Sequence, residues 1–246
     1  MELRVNSAKK KPTINDVAEA AGVSKRTISR VINHPEMVNV KTRAHVKSVI
    51  KKMGFAPDRQ ARGLASRRSF MLGLAYDVPT LHIAEIQKGI LEVCYKSGFE
   101  LVVHACHYET EDLVDEVLGF VSRSKIDGLI VLPPVSGVQE LIDALNESQI
   151  HYVQFCSELS ADPWKQVVTN YLPAVTDMTN HLVGLGHEDI AIIKGPDLFV
   201  ASGLRFEGYA QAMRQHGLQV RDANIARGNF DVQTGYRAAL TLLRQK

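Results

Sequence analysis

The 246-residue sequence predicts a small all-α head, a short hinge and a doubly wound α/β core with a parallel sheet. Three observations predict it. Residues 13–33 read as a helix, a tight glycine turn and a second helix. From residue 70 onward, apolar runs of strand length alternate with amphipathic runs of helix length, the pattern of a parallel sheet with covering helices. Charge also divides the chain. In residues 1–68, sixteen Lys/Arg against five Asp/Glu give +11; in residues 69–246, thirteen against twenty-two give −9.

In the head, Thr13 is placed to cap a first helix, with Asp16 three residues on as its capping-box partner. Ile14, Val17, Ala18 and Ala21 form that helix's apolar face. Gly22 supplies the turn and Ser24 caps the second helix. The second helix buries Ile28, Val31 and Ile32 and turns Lys25, Arg26, Ser29, Arg30 and Asn33 outward. Guanidinium, ammonium, hydroxyl and amide groups on one face of a helix behind a tight turn describe a helix-turn-helix reader of duplex DNA. A third helix is expected over 40–53, capped by Asn39 and ended by Gly54, with Val46, Val49, Ile50 and Met53 closing the head's core. The +11 of the head suits a polyanion, since phosphate neutralisation releases counterions.

Residues 1–11 read as a disordered basic arm, 12–56 as the head and 57–68 as the hinge, too short a helix to hold alone in water. Residues 69–246 form the core, with a first lobe at about 69–168 and part of a second at 169–246. Strands are expected over 70–76, 99–105, 128–132, 151–156, 167–169 and 190–194. Helices are expected over 83–97, 110–123, 138–147, 172–185, 204–215 and 235–243. Ligands of such sheets sit at the strand C-terminal ends. The loops 77–82, 107–109, 133–137, 157–164 and 195–202 are therefore the candidates, with Asp77, His82, Trp164 and Phe199 on them or beside them.

Cys94, Cys106 and Cys156 each lie in an apolar run and read as small buried hydrophobes rather than a disulfide framework. The N-terminus has no apolar secretory segment, and no run of about 18 apolar residues exists to span a bilayer. A cytoplasmic setting is expected. His104, Cys106 and His107 lack a fourth ligand, so no metal is expected, nor any cofactor. No nucleophile elbow, phosphate loop or His-Glu-x-x-His is present, and the acidic run 109–116 suits a helix start. An enzyme is therefore not expected.

The head motif Thr13-Ile14-x-Asp16-Val17-Ala18-x-x-Ala21-Gly22-Val23-Ser24-x-x-Thr27-Ile28-Ser29-Arg30-Val31-Ile32-Asn33 resembles that of the LacI/GalR-type (lactose-repressor) regulators. The hinge Ala61-Arg62-Gly63-Leu64 and the segments Ile126–Ile130, Leu185-Gly186-His187 and Ser202-x-x-Arg205-x-x-Gly208-Tyr209 resemble theirs too. The resemblance spans nearly the whole chain. It implies a core like the periplasmic sugar-binding proteins. It also implies a homodimer that binds a pseudo-palindromic operator in double-stranded DNA, with a small effector, foremost a sugar, controlling a repressor. A ligand-independent architectural DNA binder is the alternative.

By the same resemblance, Thr13, Ile14, Ser24, Lys25, Arg26, Thr27, Ser29, Arg30, Asn33, Arg59 and Ala61 are expected to contact DNA. Leu64 is expected to wedge into the minor groove, and Arg205 to bind polar groups of the effector. The sequence departs from the family at Asp58, at Cys156-Ser157, and in the loop Pro79-Thr80-Leu81-His82-Ile83, so effector identity is not carried over. Family members usually run on further, so the chain is expected to be a fragment with an unfinished second lobe.

Operator affinity is expected to fall steeply with salt, with a log–log slope of about −0.9 for each phosphate neutralised. Binding isotherms at several salt concentrations check this, and a flat response contradicts it. Leu64→Ala is expected to weaken specific binding much more than binding to random duplex, because the wedge works only where a base step opens. Paired gel shifts on operator and scrambled DNA decide.

Overall fold

The computed structural model describes residues 12–55, 68–157 and 162–244. Contacts divide the chain into two compact units, Met1–Arg68 and Ser69–Lys246.

The head is built from α1 (Ile14–Ala20), α2 (Lys25–Asn33) and α3 (Val40–Met53). The Thr13 amide donates to Asp16 Oδ2 at 2.7 Å, and Thr13 Oγ1 accepts from the Asp16 amide at 3.3 Å, so both ends of the capping box are closed. Gly22, at φ +63°, takes the left-handed turn between α1 and α2 that a β-carbon would strain. Ser24 Oγ then caps α2 through the Thr27 amide at 3.1 Å. Asn39 caps α3, and Gly54 ends it in the left-handed region. Val17, Ile28, Val31, Val46 and Phe55 meet in one buried cluster, with Val49, Ile50 and Met53 packed against it.

The first lobe follows β1 (Met71–Tyr76), α4 (Leu81–Ser97), β2 (Glu100–Ala105), α5 (Leu113–Ser124), β3 (Gly128–Val131), α6 (Gln139–Glu147), β4 (Tyr152–Cys156) and β5 (Gln166–Val168). All five strands are parallel, in the order β2-β1-β3-β4-β5. Leu72 sits opposite Leu101 on one side and Gly128 on the other. Alternate residues of β1 point to opposite faces. Ala75 joins Val117, Phe120, Val131, Leu141 and Leu145 beneath α5 and α6, whereas Leu74 joins Ile83 and Leu132 beneath α4. The Asp127 carboxylate pins the start of β1, accepting from the Ser69 amide at 2.7 Å, the Ser69 hydroxyl at 2.9 Å and the Phe70 amide at 2.9 Å.

The second lobe follows α7 (Tyr171–Gly184), β6 (Ile192–Lys194), α8 (Val200–Gln215), β7 (Ile225–Arg227) and α9 (Val232–Leu243). β6 and β7 pair in parallel, Ile193 opposite Ala226. Tyr209 and Met213 of α8 are buried with Ile190, and the Tyr209 hydroxyl donates to the Ile190 carbonyl at 2.8 Å.

Three expectations need correction. β7 was not expected, because three residues with a single β-branched side chain, between Asn224 and Gly228, carry too little pattern. α8 begins at Val200 rather than at residue 204: Gly203 breaks the helical pattern in the first turn, yet its α-carbon faces open space and the helix continues through it. Arg205 is therefore in the second turn of α8. Cys94 and Cys106 are buried as expected, but Cys156 is only partly so.

The tightest approach in the second lobe lies between α7 and α8 at Gly208. A β-carbon there would run into the Leu172 carbonyl and come within 3.2 Å of Thr176. Gly208→Ala is therefore expected to destabilise this lobe by about 1–3 kcal/mol, the usual cost of overpacking. A thermal melt of the variant checks it, and an unchanged midpoint contradicts it.

Candidate DNA-binding and effector sites

In the head, α2 spends one side on the core. Ile28 and Val31 are buried, which leaves Lys25, Arg26 and Arg30 exposed on the other side. The first turn of α2 holds no acidic residue, so its amide dipoles and Lys25 and Arg26 together offer positive potential. Ser29 is half-buried beside this row. Thr27 is also half-buried, and its hydroxyl is 2.9 Å from that of Ser24, so part of its role is to finish the cap. Thr13 is exposed but engaged with Asp16, and Ile14 is half-buried. α3 ties down the segments on either side of α2: Arg43 donates to the Pro35 carbonyl at 3.2 Å, and His45 Nε2 lies 3.2 Å from the Ala21 carbonyl oxygen. Arg59, Ala61, Leu64 and the side chain of Asn33 lie outside the described residues.

In the core, the strand C-terminal ends gather two sets of residues. Asp77 follows β1, and His82 is exposed in the first turn of α4, which Thr80 caps through the Ile83 amide. The second set stands at the ends of β6 and β7. The Arg205 guanidinium lies 4.1 Å from the Tyr171 ring centroid and 5.8 Å from that of Phe230. Phe230 meets Phe199 edge-on at 5.1 Å. Among the described residues Arg205 has no carboxylate partner. Lys194 and Arg227 instead share Asp197, each at 2.5 Å. Hydrogen bonds from Arg227 and then Lys194 hold the Asp197 carboxyl down to about 2. The structure thus brings Arg205 and Phe199 together, and leaves Asp77 and His82 with the other sheet.

Trp164 is a correction. It is 93% exposed, in the turn that leads into β5. Its neighbour Lys165 reaches Asn146 at the end of α6 and stands over the ring of Tyr152, the first residue of β4. That is the N-terminal end of the sheet. The loop after β4 must cross the sheet before a parallel β5 can begin, and Trp164 lies after the crossing.

Sequence reasoning missed Tyr171, Lys194, Asp197, Ser202, Arg227 and Phe230. The usable signal was Gly195 at the end of β6: a β-carbon there would run into the Phe230 ring and the Ser202 hydroxyl. Phe230 sits at φ +56°, in the left-handed region where an aromatic residue is strained, as residues at ligand clamps often are. His104, by contrast, has a structural role. It stacks flat on Phe120 at 4.6 Å, with Nε2 3.1 Å from Glu116 Oε1 but not aligned as a hydrogen bond. His107 binds the same carboxylate through its amide at 3.1 Å. Burial, then the charges of Glu116 and Asp77, push the Cys106 thiol up to about 12, so it is inert. Among the described residues no three His, Cys, Asp or Glu are grouped to hold a metal ion.

Residues 13–58 match the family of bacterial regulatory proteins, lacI family, and residues 76–246 match the periplasmic binding proteins and sugar binding domain of LacI family. The chain belongs to the LacI family. It is 29% identical over 237 residues to catabolite control protein A of Priestia megaterium, covering 95% of this chain and 70% of that one. It is 30% identical over 238 residues to the transcriptional repressor PurR of Serratia proteamaculans, covering 95% and 69%. Among solved structures, the Lac repressor dimer bound to operator and the anti-inducer ONPF superposes with a TM-score of 0.69 at 26% identity, over 96% of this chain and 71% of that one. The CelR–cellobiose complex gives 0.58 at 26% identity, over 95% and 71%. This LacI-family chain is thus a transcription regulator with a helix-turn-helix DNA-binding head and an effector-binding core. Among the described residues, no helix is long and apolar enough to cross a membrane.

Arg30→Ala is expected to remove one base or phosphate contact, costing about 1–3 kcal/mol of operator affinity. Arg30 is exposed, so helicity and melting should not change. Gel shifts with circular dichroism check both, and wild-type affinity in the variant contradicts the assignment.

Proposed function

We propose that this protein represses transcription by binding a pseudo-palindromic operator as a homodimer, and that a small metabolite bound in the core sets its affinity for DNA. The observation that carries the metabolite reading is Arg205: a half-buried guanidinium clasped between Tyr171 and Phe230 with no carboxylate partner among the described residues. Aromatic faces and an oriented guanidinium suit a polyhydroxylated ligand, foremost a sugar. The ligands in related solved structures, cellobiose in one and an anti-inducer with operator in another, support the same class.

DNA contact is assigned to Thr13, Ile14, Ser24, Lys25, Arg26, Thr27, Ser29, Arg30 and Asn33 in the head (12–56) and to Arg59, Ala61 and Leu64 in the hinge (57–68). Effector contact is assigned to Arg205 and Phe199, now joined by Phe230 and Tyr171, with Asp77 and His82 from the first lobe. The homodimer is supported by an outward apolar stripe on α4, where Leu81 is 76% exposed and Tyr95 89%. The protein acts in the cytoplasm, where its DNA is, and without enzymatic activity.

The test is operator affinity by fluorescence anisotropy across a panel of metabolites. One of them is expected to shift affinity by about 5–150-fold, the usual range of allosteric coupling. Arg205→Ala is expected to weaken that metabolite's effect at least tenfold. Affinity that no metabolite alters would instead favour an architectural DNA binder.

A further inference from the structure

We propose that the effector carries an oxyanion, a phosphate or a carboxylate, seated at the N-terminus of α8. This rests on the effector reading above and narrows the ligand's class. Three observations converge there.

α8 runs for 16 residues, yet no side chain caps it: Phe199 stands at the cap position. The amides of Val200 and Ala201, its first two residues, therefore point out of the helix end with the positive end of its dipole. Ser202, the third residue, is 1% exposed, and its hydroxyl has no hydrogen-bond partner among the described residues. It lies against Gly195, where the Phe230 ring also rests. Phe230 itself is 42% exposed, so this helix end lies close to solvent. Arg205, three residues after Ser202, projects from the same face of α8 and has no anionic partner among the described residues.

Charge and hydrogen-bonding character then choose the ligand class. Lys194, Arg205 and Arg227 against Asp197 and Asp231 leave a local excess of one positive charge. Two amides and a guanidinium only donate. The Ser202 hydroxyl either donates or accepts. Among the described residues the carboxylates nearby are already occupied, Asp197 by Lys194 and Arg227 and Asp231 by the Thr234 amide and hydroxyl. A neutral sugar hydroxyl asks for an acceptor as well as a donor. An oxyanion asks for donors alone, and donors are what this helix end offers.

Inorganic phosphate is the probe free of stereochemistry. The full chain, at constant ionic strength set with chloride, is followed by amide hydrogen exchange over residues 196–206. Glucose, gluconate and glucose 6-phosphate form the other arms, and separate a carboxylate source from a phosphate source. Phosphate is expected to slow exchange at Val200 and Ala201. That protection should fall at least tenfold in Ser202→Ala and in Arg205→Gln, while any phosphate effect on the basic head persists in both variants. If phosphate and both anionic sugars leave these amides unchanged while neutral sugars protect them, the oxyanion inference is overturned and the effector reading stands. If no probe protects them and no metabolite alters operator affinity, both are overturned.

Discussion

The parallel direction of every strand in the core is the constraint on which the rest depends. A parallel pair cannot be joined by a tight turn; the chain must cross back over the sheet, here through a helix from β1 to β2, β2 to β3, β3 to β4 and β6 to β7. Every β-to-α turn therefore falls at the same end of its sheet. Asp77 after β1, His107 after β2, Gly195 after β6 and Phe230 after β7 are carried to strand C-termini by this rule alone. The crossover helices cover both faces, so Ala75 and Leu74, adjacent in sequence, are each fully buried on opposite sides. The apolar core and the polar ends are thus one design. Burial fixes the strands, and the strands fix where charged and aromatic loop residues meet.

The head solves a different problem with the same economy. A three-helix unit has a small core, and Val17, Ile28, Val31 and Val46 stand at its centre, each almost fully buried. Because Ile28 and Val31 hold α2 in one rotation, the opposite row, Lys25, Arg26 and Arg30, is presented without flexibility in the helix itself. The helix backbone is then ordered before DNA binds, and only its long side chains remain to be fixed. In the core, a guanidinium pinned between two rings, a strained Phe230 and an uncapped helix end are unsatisfied features of a kind that a ligand resolves.

Much of this was legible in the sequence because it is local. The Thr13–Asp16 box, the Ser24 and Asn39 caps and the turns at Gly22 and Gly54 are decided within four residues, and each stands where its spacing placed it. The alternation of strands and helices was legible for the same reason. What escaped depends on distant partners. β7 is three residues that become a strand only because β6 lies alongside. Tyr171, Arg205 and Phe230 are spread over 59 positions and meet only through the packing of α7, α8 and the β7 turn. Trp164 was misplaced because a loop was read as staying at the end where it began.

The central claim is that one ligand site and one DNA site share a free energy. Linkage makes that claim reciprocal: if an effector changes operator affinity by some factor, operator must change effector affinity by the same factor. The direct measurement is effector binding by calorimetry to the free protein and to the protein saturated with operator duplex. The account predicts two different dissociation constants whose ratio equals the effector-induced change in operator affinity. Equal constants, with and without DNA, would contradict it.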